Sequence, residues 1–209
     1  PAQPQPSKSD PGPLSANLKR VTLAVAVALS AAEDELGDLD AKSGDGDLGA
    51  SMARAADALR ALGDDSYSTP SRLLFDAGNS LRRAIGGSSG PFYATALLRA
   101  SASLSGKPVP SGQDWLTAFE AATSSIMELG GAKPGDRTMV DALSPAIEAW
   151  RKSGNFSDAP MAAKEGAKAT SDMYPALGRA SYLGKRAIGH PDAGACAVVI
   201  WLTAISKAL

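Results

Sequence analysis

Apolar residues recur at intervals of three and four along most of this chain, and glycine-rich stretches interrupt the pattern. Leu18, Val21, Val25 and Leu29 begin it and would share one face of a helix, with Ser15 as its N-cap. Further helical windows follow at residues 49–62, 71–85, 91–104, 112–129, 138–152, 158–174 and 192–208. We find no series of alternating β-branched runs of the kind that indicates strands. About eight helices with short connections predict an all-α, antiparallel bundle.

Composition and charge restrict the partners of such a bundle. Hydrophobic residues make up 44% of the chain, which is enough to build a core, and the net charge of -1 favours neither nucleic acid nor an anionic membrane. The longest strongly apolar run, residues 21–29, is too short to span a bilayer. A single cysteine, Cys196, excludes an internal disulfide and fits a reducing compartment. These features predict a cytoplasmic protein that binds neither nucleic acid nor membrane.

The N-terminal residues differ from the rest in composition. Residues 1–13 contain five prolines and almost nothing apolar, so they cannot bury enough surface to offset the entropy of ordering. Proline favours extended geometry. We therefore expect residues 1–14 to form a proline-rich linker or disordered tail that joined the helical domain, residues 15–209, to something upstream. The alternative is a frayed terminus.

The most informative connection is the acidic loop, residues 39–49. It places Asp40, Asp45 and Asp47 within eight residues and interleaves them with glycines. Carboxylates crowded in this way repel each other unless a cation neutralises them, and hard oxygen ligands suit Mg²⁺ or Ca²⁺ rather than Zn²⁺. The spacing differs from that of a helix-loop-helix calcium site, which also needs a distal glutamate. The alternative is a solvated acidic turn that caps the next helix.

A second connection, the serine loop, reads Gly-Gly-Ser-Ser-Gly-Pro at residues 86–91 and leads into a helical window. Small residues delivered to a helix N-terminus expose backbone N–H groups that attract anions, and Ser88 and Ser89 add hydroxyl donors. The loop is not a Walker A motif, because no Gly-Lys-Ser/Thr follows, and not a dinucleotide fingerprint, because no strand precedes it. A flexible connector remains the alternative.

Two later connections carry further polar residues. Residues 133–141 place Asp136 or Thr138 at a helix start, which plain capping would also explain. Residues 178–194 contain Arg179, whose planar, permanently charged fork suits phosphate. They also contain His190, the one histidine, which we interpret as structural. Alternate connections of an up-and-down bundle lie at the same end, so we expect residues 37–49, 86–90 and 178–194 to meet there.

Four segments together resemble a known family. They are GDGDLG at residues 44–49, GGSSGPFYAT at 86–95, KPGDRTMVDAL at 133–143 and GRASYLGKRAIGHPDAG at 178–194. In this order they are similar to the motifs of the DhaL-type nucleotide-binding domain of dihydroxyacetone kinases, and the similarity spans about residues 15–208. The resemblance implies a barrel of eight antiparallel amphipathic helices that binds ATP or ADP with Mg²⁺.

The resemblance also implies roles for particular residues. The metal ligands, for two Mg²⁺ ions, would be Asp40, Asp45 and Asp47. Contacts to the nucleotide would come from Leu48, Gly49, Ala50, Ser51, Ser88, Ser89, Gly130, Thr138, Met139, Arg179, Asp192, Ala193 and Gly194, with Arg179 also acting in catalysis by offsetting charge in the transition state.

Two positions depart from the family pattern. Leu48 stands where some relatives carry a polar residue, which leaves the contacts beside the metal loop open. Ala193 stands where proline is common, which would loosen the last turn of the site. Neither change removes an implied metal ligand.

The resemblance leaves three functions open. In the first, this chain is part of an ATP-dependent kinase whose substrate, dihydroxyacetone or a related short ketose, is held by a histidine of a separate DhaK-type domain. A homodimer, if one forms, would be made through that partner domain. In the second, it is an ADP-holding subunit that a phosphocarrier protein rephosphorylates, as in the phosphotransferase system. In the third, it is a non-catalytic, nucleotide-dependent interaction module.

Overall fold

Helices form wherever the apolar repeat predicts them. The computed structural model describes residues 12–87 and 89–209, and the chain forms ten α-helices within these ranges. The helices are α1 (Ser15–Ala31), α2 (Glu33–Ala41), α3 (Leu48–Arg60), α4 (Pro70–Ala84), α5 (Ser89–Ser103), α6 (Gly112–Gly130), α7 (Val140–Ser153), α8 (Ala159–Ala169), α9 (Ala180–Leu183) and α10 (Ala193–Ala208). Of the predicted N-terminal linker, residues 1–11 lie outside the described residues.

The eight helices of eleven or more residues close into a ring. Going round it, α1 packs on α3, α3 on α4, and so on through α5, α6, α7 and α8 to α10, which packs back on α1. Neighbours in the ring follow each other along the chain, as short connections require of an antiparallel arrangement. The predicted all-α, eight-helix, up-and-down barrel is therefore confirmed, and α2 and α9 are short additions to it.

Several details of the sequence prediction differ in the structure. The residue before α1 is Leu14, and no side chain of the described residues caps that helix, so Ser15 is its first residue instead of its cap. The acidic loop is shorter than predicted, because α2 carries Asp40 in its last turn. The connection at residues 178–194 contains α9 and a 3-10 turn, Gly184–Ala187.

The core is built largely from small residues, which lets the helices approach closely. Ala142, Ala146, Ala163 and Ala197 are fully buried, and a helix with alanine on its inner face brings its backbone near its neighbour's. The two largest buried clusters of the described residues share the interior, and Trp201 of α10 packs against both of them. None of the helices in the described ranges is both long and apolar enough to cross a membrane.

One close approach joins α7 and α8. Gly166 of α8 lies against the carbonyl oxygen of Asp141, and a Cβ at Gly166 would stand only 2.7 Å from Cγ of Pro145. Pro145 has no N–H and leaves that carbonyl without its usual helical donor. Glycine is therefore required at this contact.

We predict that Gly166→Ala destabilises the domain, because the new methyl group forces α7 and α8 apart. Overpacking of this kind costs about 1–3 kcal/mol. Urea unfolding measures the loss. Gly112→Ala is the control, since a Cβ at Gly112 meets nothing within 4 Å. Equal stability of the two variants would show that the α7–α8 contact tolerates a side chain.

Candidate functional site

Four connections meet at one end of the ring and enclose a cavity of about 330 Å³. They are residues 42–47 between α2 and α3, 85–88 between α4 and α5, 131–139 between α6 and α7, and 170–192 between α8 and α10. Residues from each of the four line the cavity. The three connections predicted to lie at the same end are thus brought together, and the connection that contains Thr138 joins them.

The three aspartates of the acidic loop form one group at this cavity. Asp40 lies in the last turn of α2, Asp45 in the loop, and Asp47 at the residue preceding α3. One carboxylate oxygen of each lies within 4.8 Å of those of the other two. Oxygens this close can share cations of the Mg²⁺ type.

Capping of α3 does not account for this group. Asp47 stands at the N-cap position, yet its side chain accepts no capping hydrogen bond. Asp40 instead accepts from the backbone N–H of Leu48 at 3.2 Å, which fixes the end of α2 against the start of α3. At most one of the three carboxylates therefore serves the helix end.

The positive ends of four helices surround the same cavity. Leu48, Ser89, Val140 and Ala193 line it, and each is the first residue of a helix of 13 to 16 residues. The first N–H groups of a helix lack partners within it, and the aligned peptide dipoles place partial positive charge there. Four such ends at one cavity favour an anion with several charges.

Arg179 connects the acidic loop with the other connections. It stands at the residue preceding α9, half exposed, and its guanidinium forms an ion pair with the carboxylate of Asp45. A Cβ on Gly87 would lie 4.0 Å from Nη2 of Arg179, so the arginine also reaches the serine loop. The guanidinium of Arg179 thus lies between the acidic loop and the serine loop.

Apolar side chains form another part of the lining. Phe92, Ile126, Met139, Val140 and Leu177 all border the cavity. Gly130 lies close to the Phe92 ring, since a Cβ there would stand 2.9 Å from Cε1. Such a surface suits a flat, weakly polar ring more than a second charged group.

The structure separates the sequence-predicted site residues into two groups. Those that line the cavity are Asp40, Asp45, Asp47, Leu48, Ser89, Gly130, Thr138, Met139, Arg179, Asp192, Ala193 and Gly194. Gly49, Ala50 and Ser51 do not line it. Ser88 lies outside the described residues.

The rotation of α3 about its axis explains why Gly49, Ala50 and Ser51, which were predicted to contact the nucleotide, do not line the cavity. Gly49 packs on α2, where a Cβ would lie 2.8 Å from the backbone nitrogen of Gly37. Ala50 is exposed, and Ser51 is buried with its hydroxyl accepting from Arg54 at 2.8 Å. Only Leu48 at the helix start stays at the cavity.

Sequence reasoning did not single out Arg137 or Phe92, and both line the cavity. Phe92 follows Pro91 in the first turns of α5, so the anion-binding interpretation of that helix start could have suggested it. Nothing local indicates that the side chain of Arg137 is buried, because its partners lie more than thirty residues away.

Asp192 has an unusual environment for a carboxylate. It caps α10 by accepting from the N–H of Ala195 at 2.8 Å. Burial, with smaller contributions from the nearby carboxylates of Asp141 and Asp40, raises the pKa of Asp192 to about 6. The Ala195 N–H and the Arg137 guanidinium act in the opposite direction. The acidic side of the cavity therefore includes Asp192 as well as the three aspartates of the loop.

Comparison with known proteins identifies the family. Residues 42–207 match the family model described as the DAK2 domain, and the match begins just after Asp40. The chain belongs to the DAK2-domain family. The predicted resemblance to the DhaL-type domain of dihydroxyacetone kinases is therefore confirmed.

Relatives of this chain are longer proteins. The D-erythrulose kinase of Mycolicibacterium smegmatis is 34% identical over 194 residues, which cover 85% of this chain and 32% of the relative. The human triokinase/FMN cyclase is 33% identical over 222 residues, which cover 100% of this chain and 38% of the relative. This chain therefore spans about a third of the length of these relatives.

A solved structure shares this fold. The native dihydroxyacetone kinase of C. freundii superposes with a TM-score of 0.78 at 26% identity and covers 100% of this chain and 37% of its own. The same kinase in complex with AMP-PNP and Mg²⁺ gives a TM-score of 0.74 at 27% identity, with the same coverage.

We predict that Gly44→Ala removes divalent-cation binding while the fold persists. A Cβ at Gly44 would overlap Oδ1 of Asp40, and a short side chain yields more easily than a helix does, so the carboxylate would leave the group. Titration with Mn²⁺, followed by electron paramagnetic resonance, measures the loss. Gly63→Ala is the control, since a Cβ there meets nothing within 4 Å. Unchanged Mn²⁺ affinity in Gly44→Ala would contradict the assigned group.

We also predict a pH-dependent gain of stability in Asp192→Asn, without divalent cations. The folded state holds the Asp192 proton up to about pH 6, above the ordinary value of 3.8. Wild-type stability therefore falls as the pH rises through this interval, because ionisation is easier in the unfolded chain. Asparagine keeps the capping oxygen and does not ionise. Urea unfolding at pH 4.5 and pH 8 should show a larger advantage for the variant at pH 8, and an advantage independent of pH would contradict the shifted pKa.

Proposed function

We propose that this chain is the nucleotide-binding domain of a kinase that transfers the γ-phosphate of ATP to a short ketose. The ketose, dihydroxyacetone or a related sugar such as erythrulose, would be held on a separate DhaK-type domain. The observation that carries the proposal is the meeting of three carboxylates and four helix N-termini at one cavity. A magnesium complex of a polyphosphate needs both kinds of group.

The donor set of the acidic loop fits Mg²⁺. It consists of carboxylate oxygens alone, on Asp40, Asp45 and Asp47, and these approach within 4.8 Å of each other. Mg²⁺ takes few protein carboxylates and completes its octahedron with water and phosphate oxygens, so three aspartates would hold two ions. Bound there, Mg²⁺ would neutralise phosphate charge that develops during transfer.

The phosphates would be oriented by the chain's own donors. The N–H groups at the start of α5 and the hydroxyls of Ser88 and Ser89 would bind them, as helix N-termini bind anions elsewhere. Arg179 would act in catalysis by offsetting charge in the transition state. Its ion pair with Asp45 already places it beside the acidic loop, where the phosphates would lie.

The rest of the nucleotide would occupy the apolar part of the cavity. Gly130, Thr138 and Met139 would border the base and ribose, beside the ring of Phe92. The turn Asp192-Ala193-Gly194 would close the site at the start of α10. Leu48 would contact the nucleotide through its backbone only, because its apolar side chain offers no hydrogen-bonding group.

The names of the relatives support phosphoryl transfer to short ketoses. They are a D-erythrulose kinase, an L-erythrulose 1-kinase and triokinases, and the solved dihydroxyacetone kinase was crystallised with AMP-PNP and Mg²⁺. Because this chain spans about a third of such proteins, the ketose-binding part would be supplied by another domain.

We predict that Asp45→Asn abolishes Mg²⁺-dependent binding of ATP and ADP, because it removes a carboxylate that the cation requires. Calorimetric titration with and without Mg²⁺ measures this. Asp65→Asn is the control, since Asp65 lies in the connection between α3 and α4, at the other end of the ring. ATP turnover, measured with a DhaK-type domain and a ketose supplied, should disappear in Asp45→Asn and persist in Asp65→Asn.

Two results would count against the proposal. Nucleotide binding by Asp45→Asn with wild-type affinity at saturating Mg²⁺ would overturn the metal assignment. Nucleotide binding by the wild type without any phosphoryl transfer, with the partner domain present, would favour an interaction module. Labelled ATP that exchanges rapidly with the bound nucleotide supports the ATP-dependent kinase over an ADP-holding subunit.

A further inference from the structure

Arg137 is a buried cation whose hydrogen-bond partners in the described residues are all backbone carbonyls. It is 1% exposed and is the largest fully buried side chain among the described residues. Its Nε donates to the carbonyl oxygen of Thr170 at 3.2 Å, and its Nη2 donates to those of Ala187 at 2.8 Å and His190 at 2.9 Å. Among the described residues, Nη1 has no hydrogen-bond partner. No carboxylate of these residues forms a salt bridge with the guanidinium, although the charge of Asp192 is near enough to interact with it. Burying a guanidinium without a salt-bridge partner is costly, and the three carbonyls offset part of that cost.

The backbone of Arg137 is strained as well. Its φ of 62° makes it the one non-glycine residue with positive φ in the described part of the chain. That region costs an L-residue about 1–2 kcal/mol, and such conformations persist where the surroundings over-determine them. The surroundings here include Asp141, which accepts from the N–H of the next residue, Thr138, at 2.8 Å.

The three carbonyls that Arg137 binds lie at the base of one segment. We call residues 171–189 the flap. Thr170 directly precedes it, Ala187 lies near its end, and His190 directly follows it. A backbone bond from the N–H of Gly189 to Ser171 at 2.8 Å closes the same base, and one from the N–H of Ala176 to Asp136 at 3.2 Å ties the flap to the α6–α7 connection. The side chain of Arg137, which belongs to the α6–α7 connection, therefore forms hydrogen bonds at both ends of the flap.

Away from its base, the flap buries few side chains. Its helix α9 has four residues, and Tyr182 on that helix is 91% exposed. The buried residues of the flap are Pro175, Ala180 and Ala187, and Leu177 packs against the larger core cluster. Yet the flap carries Arg179, the residue that reaches Asp45 and the serine loop. The position of Arg179 thus depends in part on how the base of the flap is fixed.

We infer that Arg137 is a positioning residue that clamps the base of the flap and so holds Arg179 over the metal loop. The inference rests on the proposed function and deepens it, because the clamp would set the affinity of the cavity for a magnesium nucleotide. The shape of the side chain explains the choice of arginine. A planar fork with five donors reaches carbonyls in several directions at once, whereas a lysine ammonium presents all of its donors from one atom.

Two variants test the clamp in the full 209-residue chain. Arg137→Lys keeps the charge and loses the fork, and Arg137→Met removes both. Hydrogen exchange of the chain without nucleotide should show faster exchange at residues 171–189 in Arg137→Lys, with α1 and α6 unchanged. If the competent flap is then populated only about a tenth of the time, the Kd for ADP with Mg²⁺ rises about tenfold.

Leu104→Ala is the matched control for lost stability. Leu104 is fully buried in the larger core cluster and does not line the cavity, so its truncation weakens the fold without releasing the flap. Its Kd for ADP should equal that of the wild type. If Arg137→Met does not fold, Arg137→Lys alone carries the test.

A double-substitution cycle separates positioning from a general effect. If Arg137 acts through Arg179, its replacement should weaken binding much less in an Arg179→Met background than in the wild type. Additive effects, or wild-type exchange of residues 171–189 in Arg137→Lys, would overturn the clamp. Wild-type protein that binds no magnesium nucleotide would instead overturn the proposed function, and the exchange measurement would still decide the clamp.

Discussion

The mutual repulsion of three carboxylates held within 4.8 Å is the constraint on which the site depends. Unit charges at such distances repel by more than thermal energy even near water, so a loop that gathers them needs compensation. The structure offers the first N–H of α3, the guanidinium of Arg179 and the positive ends of neighbouring helices. A fold that concentrates both signs of charge at one cavity is suited to a cation and a polyanion together.

The ring topology explains why the positive ends are there. In a closed up-and-down ring every second helix starts at the same end, so α3, α5, α7 and α10 all begin at the cavity. No single motif has to create the anion site. The motifs add to this site: the acidic loop contributes carboxylates, and apolar side chains such as Phe92, Ile126 and Met139 form a wall for the rest of a ligand.

The fold and the polar rim of the site could be predicted because their signals are local. Helical periodicity and glycine breaks predicted the ring, and short motifs predicted that Asp40, Ser89 and Arg179 would meet. The sequence did not predict which residues face the cavity where this depends on how a helix is rotated about its axis, or on contacts between residues far apart in the chain. Which residues of α3 face the cavity is set by its packing on α2, and this packing turns Gly49 and Ser51 inward. The burial of Arg137 depends on carbonyls 33 to 53 residues away, which no local pattern reveals.

The most direct test of the account is a crystal structure of the chain grown with ADP and Mn²⁺ as a substitute for Mg²⁺. The account predicts anomalous peaks for the metal between Asp40, Asp45 and Asp47, with phosphate oxygens completing the coordination beside the start of α5. A nucleotide bound elsewhere, with the three aspartates directed into solvent and no metal between them, would contradict it.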